Sequence, residues 1–120
     1  MPDIVEVVTT VDSREEADRL ATLMTDARLA ACVQIQGPLH SVYRWHGRVT
    51  HATEWRCAFK TTKQDADRLR TRLVSEHRYD VPEILISSVG TTVPYAEWIA
   101  AETGTTPSES THHTPGGSRE

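Results

Sequence analysis

Between Cys32 and Lys60 the chain runs through two stretches rich in strand formers, CVQIQGPLHSVYRW and RVTHATEWRCAFK, separated only by His46 and Gly47. Two residues suffice for a tight antiparallel turn, and glycine accepts the positive φ that such a turn demands. The pattern predicts one long hairpin, with strand two over Cys32–Trp45 and strand three over Arg48–Lys60. At about 3.3 Å per residue each arm runs for about 43 Å, more than the core of one small domain spans. Gly37 and Pro38 interrupt the first arm, where proline cannot donate to a ladder, and predict a bulge or bend. In the second arm Trp55, Cys57 and Phe59 alternate onto one face. A hairpin that outruns its own core needs another surface, so Tyr43, Trp45 and Trp55 are expected at contacts with a neighbouring subunit.

The flanking segments complete a repeat. Asp3 to Thr9 reads as a strand with Val5 and Val7 on one face and Ile4, Glu6 and Val8 on the other, which suits a central position covered on both sides. Ser13 and Glu16 have the spacing of a capping box ahead of Ala17, Leu20, Ala21, Met24 and Ala27, predicting a helix from about Ser13 to Leu29. Thr62 can cap a second helix whose apolar stripe is Ala66, Leu69, Leu73 and Val74 and which ends at Ser75, Glu76 or His77. Ile84 to Val89 reads as a fourth strand, and Val93–Pro94 opens a short helix with Tyr95, Trp98 and Ile99 on its apolar side. Two strand–helix–strand units joined by a hairpin close most simply as a four-stranded antiparallel sheet with both long helices on one face. The strands are apolar on both faces, so the second face also needs a cover, and subunit association is the economical one.

One domain over residues 1–102 accounts for the apolar content. From Thr103 to Glu120 there is no aliphatic, aromatic or sulphur-containing side chain, and a disordered polar tail is expected. The adjacent His112 and His113 in that tail make a nonspecific metal candidate at best. A formal charge of −4 and the acidic residues that interrupt Arg68, Arg70, Arg72 and Arg78 argue against a nucleic-acid partner. The start, MPDIVEVV, lacks a basic segment followed by a long apolar one, and no run reaches the roughly 18 apolar residues of a membrane span. The expectation is a cytoplasmic protein without a membrane partner. Cys32 and Cys57 lie in apolar runs without a CxxC spacing and read as buried thiols. There is no HExxH, GxSxG, P-loop or dinucleotide-binding glycine pattern, so an enzyme is not expected.

The stretch EHRYDVPEI, Glu76 to Ile84, is the densest in chemistry. His77 could cap the second helix, ligate a metal or transfer a proton, and capping is favoured. Asp80 and Glu83, three apart around Pro82, have no spacing that requires them to converge. Glu83 could pair with Lys60 or accept a hydrogen bond from His77.

RLAACVQI (28–35), SVYRWHG (41–47), FKTT (59–62) and HRYDVPEI (77–84) together resemble the CutA1 divalent-cation-tolerance family, in the family's order and over about residues 4–102. The resemblance implies an α+β, ferredoxin-like split βαβ sandwich with a long central hairpin and an additional carboxy-terminal helix, assembled as a homotrimer like the PII proteins. It implies association with tolerance to copper or another divalent transition metal, with no cofactor required. The long nucleotide-responsive loop of PII proteins is missing, so nucleotide binding is not carried over. Some bacterial members resemble a copper-binding pattern of a cysteine late in strand one and a histidine pair. Here Thr9 takes the cysteine position and Glu76–His77 the pair, leaving His77 as the metal candidate. The resemblance also implies that Lys60, Tyr79 and Glu83 gather near a subunit boundary, as a ligand site or a structural cluster. A structural or protein-interaction trimer without metal sensing is the alternative function.

Overall fold

A computed structural model describes residues 1–104 of the chain. Its elements are β1 (Asp3–Val11), α1 (Arg14–Asp26), β2 (Cys32–Trp45), β3 (Arg48–Thr61), α2 (Lys63–Glu76), β4 (Leu85–Gly90) and α3 (Val93–Glu102). The strands form one antiparallel sheet in the order β2-β3-β1-β4. This is the ferredoxin-like α+β arrangement with an added carboxy-terminal helix. The expected disorder of the tail and the pair His112–His113 lie outside the described residues, except that Thr103 and Gly104 are described and pack on the fold.

The hairpin forms at the expected turn because His46 (φ 54°) and Gly47 (φ 77°) both adopt positive φ, the twist-compatible geometry for a two-residue connection. Its register slips between Gln36 and Leu39, where the Gly37–Pro38 peptide is cis. The hairpin projects beyond the helices and makes the described fold 50 Å long but only 27 by 26 Å across.

Each long helix starts at a side-chain cap. Ser13 Oγ accepts from the Glu16 N–H at 3.0 Å, and Thr62 Oγ1 from the Asp65 N–H at 3.1 Å. Helix α1 ends at Asp26, three residues before the expected end, because Arg28 enters the left-handed region (φ 59°). That bend aims the Arg28 guanidinium at the end of α3, where it donates to Ala101 O at 2.8 Å and Gly104 O at 3.2 Å, while Gly104 N–H donates to Arg28 O. A cation at a helix carboxy terminus also meets the negative end of its dipole. Arg28 thereby ties together the ends of two helices that are distant in sequence.

The main core joins Val5, Val7 and Val11 of β1 and Cys57 and Phe59 of β3 to Leu20 and Met24 of α1 and Leu69 and Leu73 of α2. Each such side chain contributes about 1.5–3 kcal/mol when fully buried. On the other face Ile4, Val8 and Ala58 are also buried, and α3, which packs on β1 and β3, buries Ile99. The uncovered remainder is apolar at the free edge, with Leu85, Ile86 and Val89 of β4 exposed. Val74, expected in the stripe of α2, is 49 % exposed, because Ala66, Leu69 and Leu73 are the stripe residues on the core side. Cys57 is buried, and burial pushes its thiol up to about 11, which leaves it unreactive. Cys32 is only half-buried, against the expectation of two buried thiols, because it opens the edge strand β2.

Trp55, expected at a subunit contact, also packs within its own chain. It is half-buried against the main core and covers Gly37 of its own hairpin, so within the chain it is a packing residue. A Cβ on Gly37 would stand 2.4 Å from Trp55 Cδ1 and 2.7 Å from Cγ, atoms of a rigid ring. Gly37→Ala is therefore expected to destabilise the fold by about 1–3 kcal/mol through overpacking, read as a lower urea midpoint with an unchanged m-value.

Candidate functional site

The junction between α2 and β4 is built on His77. Its N–H closes α2 onto Leu73 O at 2.9 Å, and its extended backbone (φ −70°, ψ 141°) ends the helix. The ring turns back to β1. Tyr79 N–H reaches Nδ1 at 3.1 Å, and Nε2 stands 2.9 Å from Thr10 O and 3.0 Å from Thr9 Oγ1. An N–H can only donate, so Nδ1 accepts, and this assigns the ring proton to Nε2, which faces the Thr10 carbonyl. The Thr9 hydroxyl accepts from that ring and donates to Glu83 O at 2.7 Å. Both ends of the loop 77–83 are thereby pinned to Thr9 and Thr10, near the end of β1.

A second network anchors the same junction from the helix side. Arg19 donates to both Glu16 carboxylate oxygens, at 2.9 and 2.7 Å, and to Glu76 Oε1 and Glu76 O at 3.1 and 2.8 Å. Arg78 approaches Glu16 Oε1 at 3.3 Å. The Arg19 hydrogen bonds hold the Glu16 carboxyl below its ordinary value against the opposing effect of burial, and those of Arg19 and Arg72 do the same for Glu76.

Beyond the junction lies an open cleft of about 580 Å³. The hairpin supplies one wall with Ser41, Tyr43 and Trp45, the loop supplies the other with Tyr79 to Val81 and Glu83, and Thr10 and Glu54 lie between them. Tyr79 Oη donates to Glu54 Oε2 at 2.9 Å across this space. Burial first, and then the Glu54 hydrogen bond, push the Tyr79 phenol well above its ordinary value, so it stays a protonated donor. Glu54 is only 8 % exposed. The cleft carries three carboxylates, Glu54, Asp80 and Glu83, and no lysine or arginine.

The expected residues are thus distributed unevenly. Tyr79 and Glu83 meet at the cleft, beside Tyr43 (42 % exposed) and Trp45 (46 % exposed). Lys60 does not join them within the chain; it donates to Gln34 Oε1 at 2.9 Å and faces Glu6 at 3.8 Å, because β1–β3 pairing sets it opposite Glu6. Glu83 meets neither Lys60 nor the His77 ring through the bonds anticipated for it; its carbonyl is held by Thr9. The family's cysteine and histidine positions do converge, but as a Thr9–His77 hydrogen bond, with the Nδ1 lone pair of His77 taken by Tyr79 N–H. This donor set does not fit a tight copper site, and among the described residues no three of His, Cys, Asp and Glu gather as metal ligands. Glu54 was not anticipated, since its partner Tyr79 lies 25 positions away on a loop whose path over the hairpin no local pattern specifies.

Fold, projecting hairpin and pinned junction define a ferredoxin-like subunit with an added carboxy-terminal helix. The model of the CutA1 divalent ion tolerance protein family matches residues 5–102, and the chain belongs to that family. The divalent-cation tolerance protein CutA of Thermus thermophilus is 37 % identical over 99 residues, covering 82 % of this chain and 96 % of the relative. The chloroplastic protein CutA 1 of Oryza sativa is 36 % identical over 104 residues, 86 % of this chain but only 58 % of that protein. Among solved structures, CutA from Synechococcus elongatus superposes with a TM-score of 0.82 at 37 % identity, covering 87 % of this chain and 93 % of that one. The family association is with divalent-cation tolerance.

Thr9→Val keeps the shape but strands the Glu83 carbonyl, while the His77 Nε2–H keeps the Thr10 carbonyl; a loss of about 1–3 kcal/mol in urea unfolding is expected. Glu16 and Glu76 titrate lower folded than unfolded, so their contribution is present above about pH 4.5, the ordinary value, and is lost as pH falls through the depressed folded values. Arg19→Ala is therefore expected to lower the thermal midpoint at pH 7, with the gap from the parent closing below pH 4.5.

Proposed function

We propose that this protein is a homotrimeric cation-response protein in which the cleft between hairpin and junction is a weak site for divalent cations at a subunit boundary. The observation that carries this reading is the lining: three carboxylates and no basic side chain around a space of about 580 Å³. Charges of one sign along a concave wall concentrate counter-ions without requiring a closed ligand shell. Tyr79, locked to Glu54, keeps one carboxylate oriented, while Asp80 and Glu83 stand on the exposed rim. A small ligand carrying a cation could occupy the same space.

Trimer formation is supported by the apolar surface left outside the subunit's own core. Tyr43 and Trp45 on the projecting hairpin and Leu85, Ile86 and Val89 on the free edge of β4 are the surfaces a neighbour would cover. The same exposed aromatics favour the second reading, a structural or interaction trimer without cation sensing. A cytoplasmic location suits two cysteines that form no disulfide; no helix among the described residues is long and apolar enough to cross a membrane.

Light scattering after size exclusion is expected to give three times the chain mass, and Ile86→Asp to release smaller species. Titration of the trimer with Cu(II), Zn(II) and Mn(II) is expected to show weak binding at the cleft. The combined variant Glu54→Gln, Asp80→Asn, Glu83→Gln should lower that affinity at least about tenfold. Equal affinity in parent and variant, with the trimer intact, would leave the structural reading in its place.

A further inference from the structure

The hairpin brings together two imidazoles that are eleven positions apart in sequence and belong to neither the junction nor the cleft. Pairing sets His40 opposite Thr53 and Val42 opposite His51, so His40 on β2 and His51 on β3 are diagonal neighbours on one face of the projecting arm. His40 Nε2 and His51 Nδ1 stand 3.0 Å apart, with the ring centroids 5.1 Å apart and both side chains exposed.

We propose that His40 and His51 form a two-histidine chelate for a divalent transition-metal ion, a site separate from the cleft. Two nitrogens each about 2.0 Å from one ion lie about 2.8 Å apart at a right angle and about 3.3 Å apart at the tetrahedral angle. The observed 3.0 Å falls inside that bite. Imidazole nitrogen suits copper, nickel and zinc, and not the hard cations that carboxylates prefer.

At present one of the facing nitrogens donates its proton to the other. Binding requires that the donor ring move this proton to its outer nitrogen, after which both inner lone pairs meet the ion. No oxidation occurs, and no proton is released from the neutral pair. The remaining coordination positions are open to water or to a further donor.

Two features lower the cost of forming the chelate. Both residues sit on paired strands whose register the two-residue turn sets, so little backbone order is lost on binding. Their exposure gives an ion direct access. Arg44, on the same face of β2 as His40, directs its guanidinium toward Gly47 O at 3.5 Å, at the tip of the hairpin.

The test uses the full chain with His112→Gln and His113→Gln, which removes the tail imidazoles from competition. Calorimetric titration with Ni(II) and Cu(II) salts is expected to show binding that weakens at least about tenfold in His40→Gln and equally in His51→Gln. His77→Gln and the cleft carboxylate variant should leave this site unchanged. The Cu(II) electron paramagnetic resonance spectrum should show nitrogen coupling that either hairpin substitution reduces. Undiminished affinity in both His40→Gln and His51→Gln, with folding verified by circular dichroism, would overturn the proposal. Loss that follows only the cleft carboxylates would overturn it in favour of the cleft, so the two readings fail separately.

Discussion

Strand β1 is hydrogen-bonded along both edges, to β3 and β4, and buried on both faces, with Ile4, Val5, Val7 and Val8 each at most 4 % exposed. Every other element has to be placed around it. Helices α1 and α2 cover the face that carries Val5 and Val7; α3 packs across β1 and β3 on behalf of the rest. Because that strand cannot move without uncovering two layers, whatever hydrogen-bonds to its end is held rigidly. The junction does so through Thr9 and Thr10.

The chemistry of the junction follows from which atoms are left over once the fold has used them. His77 spends its Nδ1 lone pair on Tyr79 N–H and its Nε2 proton on β1, so the histidine that the family pattern offers as a metal ligand works here as a brace. Threonine in place of a thiol has the same effect at Thr9, since a hydroxyl can donate to Glu83 O and accept from His77 at once. Charge then collects in the cleft beside the brace. The two networks, Thr9–His77 and Glu16–Arg19–Glu76, hold opposite sides of one loop and let its carboxylates face outward.

The hairpin connects this subunit chemistry to assembly. Its length leaves Tyr43 and Trp45 beyond the core, while Trp55, nearer the root, is drawn in over Gly37. Aromatic residues within one hairpin thus play different parts, decided by how far each lies from the helices. The cleft sits where the hairpin leaves the fold, so a neighbour that covers the hairpin would also narrow the cleft.

Local signals in the sequence determined the element order, the His46–Gly47 turn, the Ser13 and Thr62 caps and the alternation of Trp55, Cys57 and Phe59, because each depends on residues within a few positions of one another. The four motifs carried the family for the same reason. What only the tertiary structure decided rests on pairings between distant segments. Lys60 faces Glu6 instead of Glu83 because strand register, which no local pattern specifies, sets its partner. Glu54 reaches Tyr79 only because the α2–β4 loop folds back over the hairpin from 25 positions away in sequence. Arg28 gave no sign that it would leave the helix, since its left-handed backbone is stabilised by carbonyls more than seventy residues away at the end of α3.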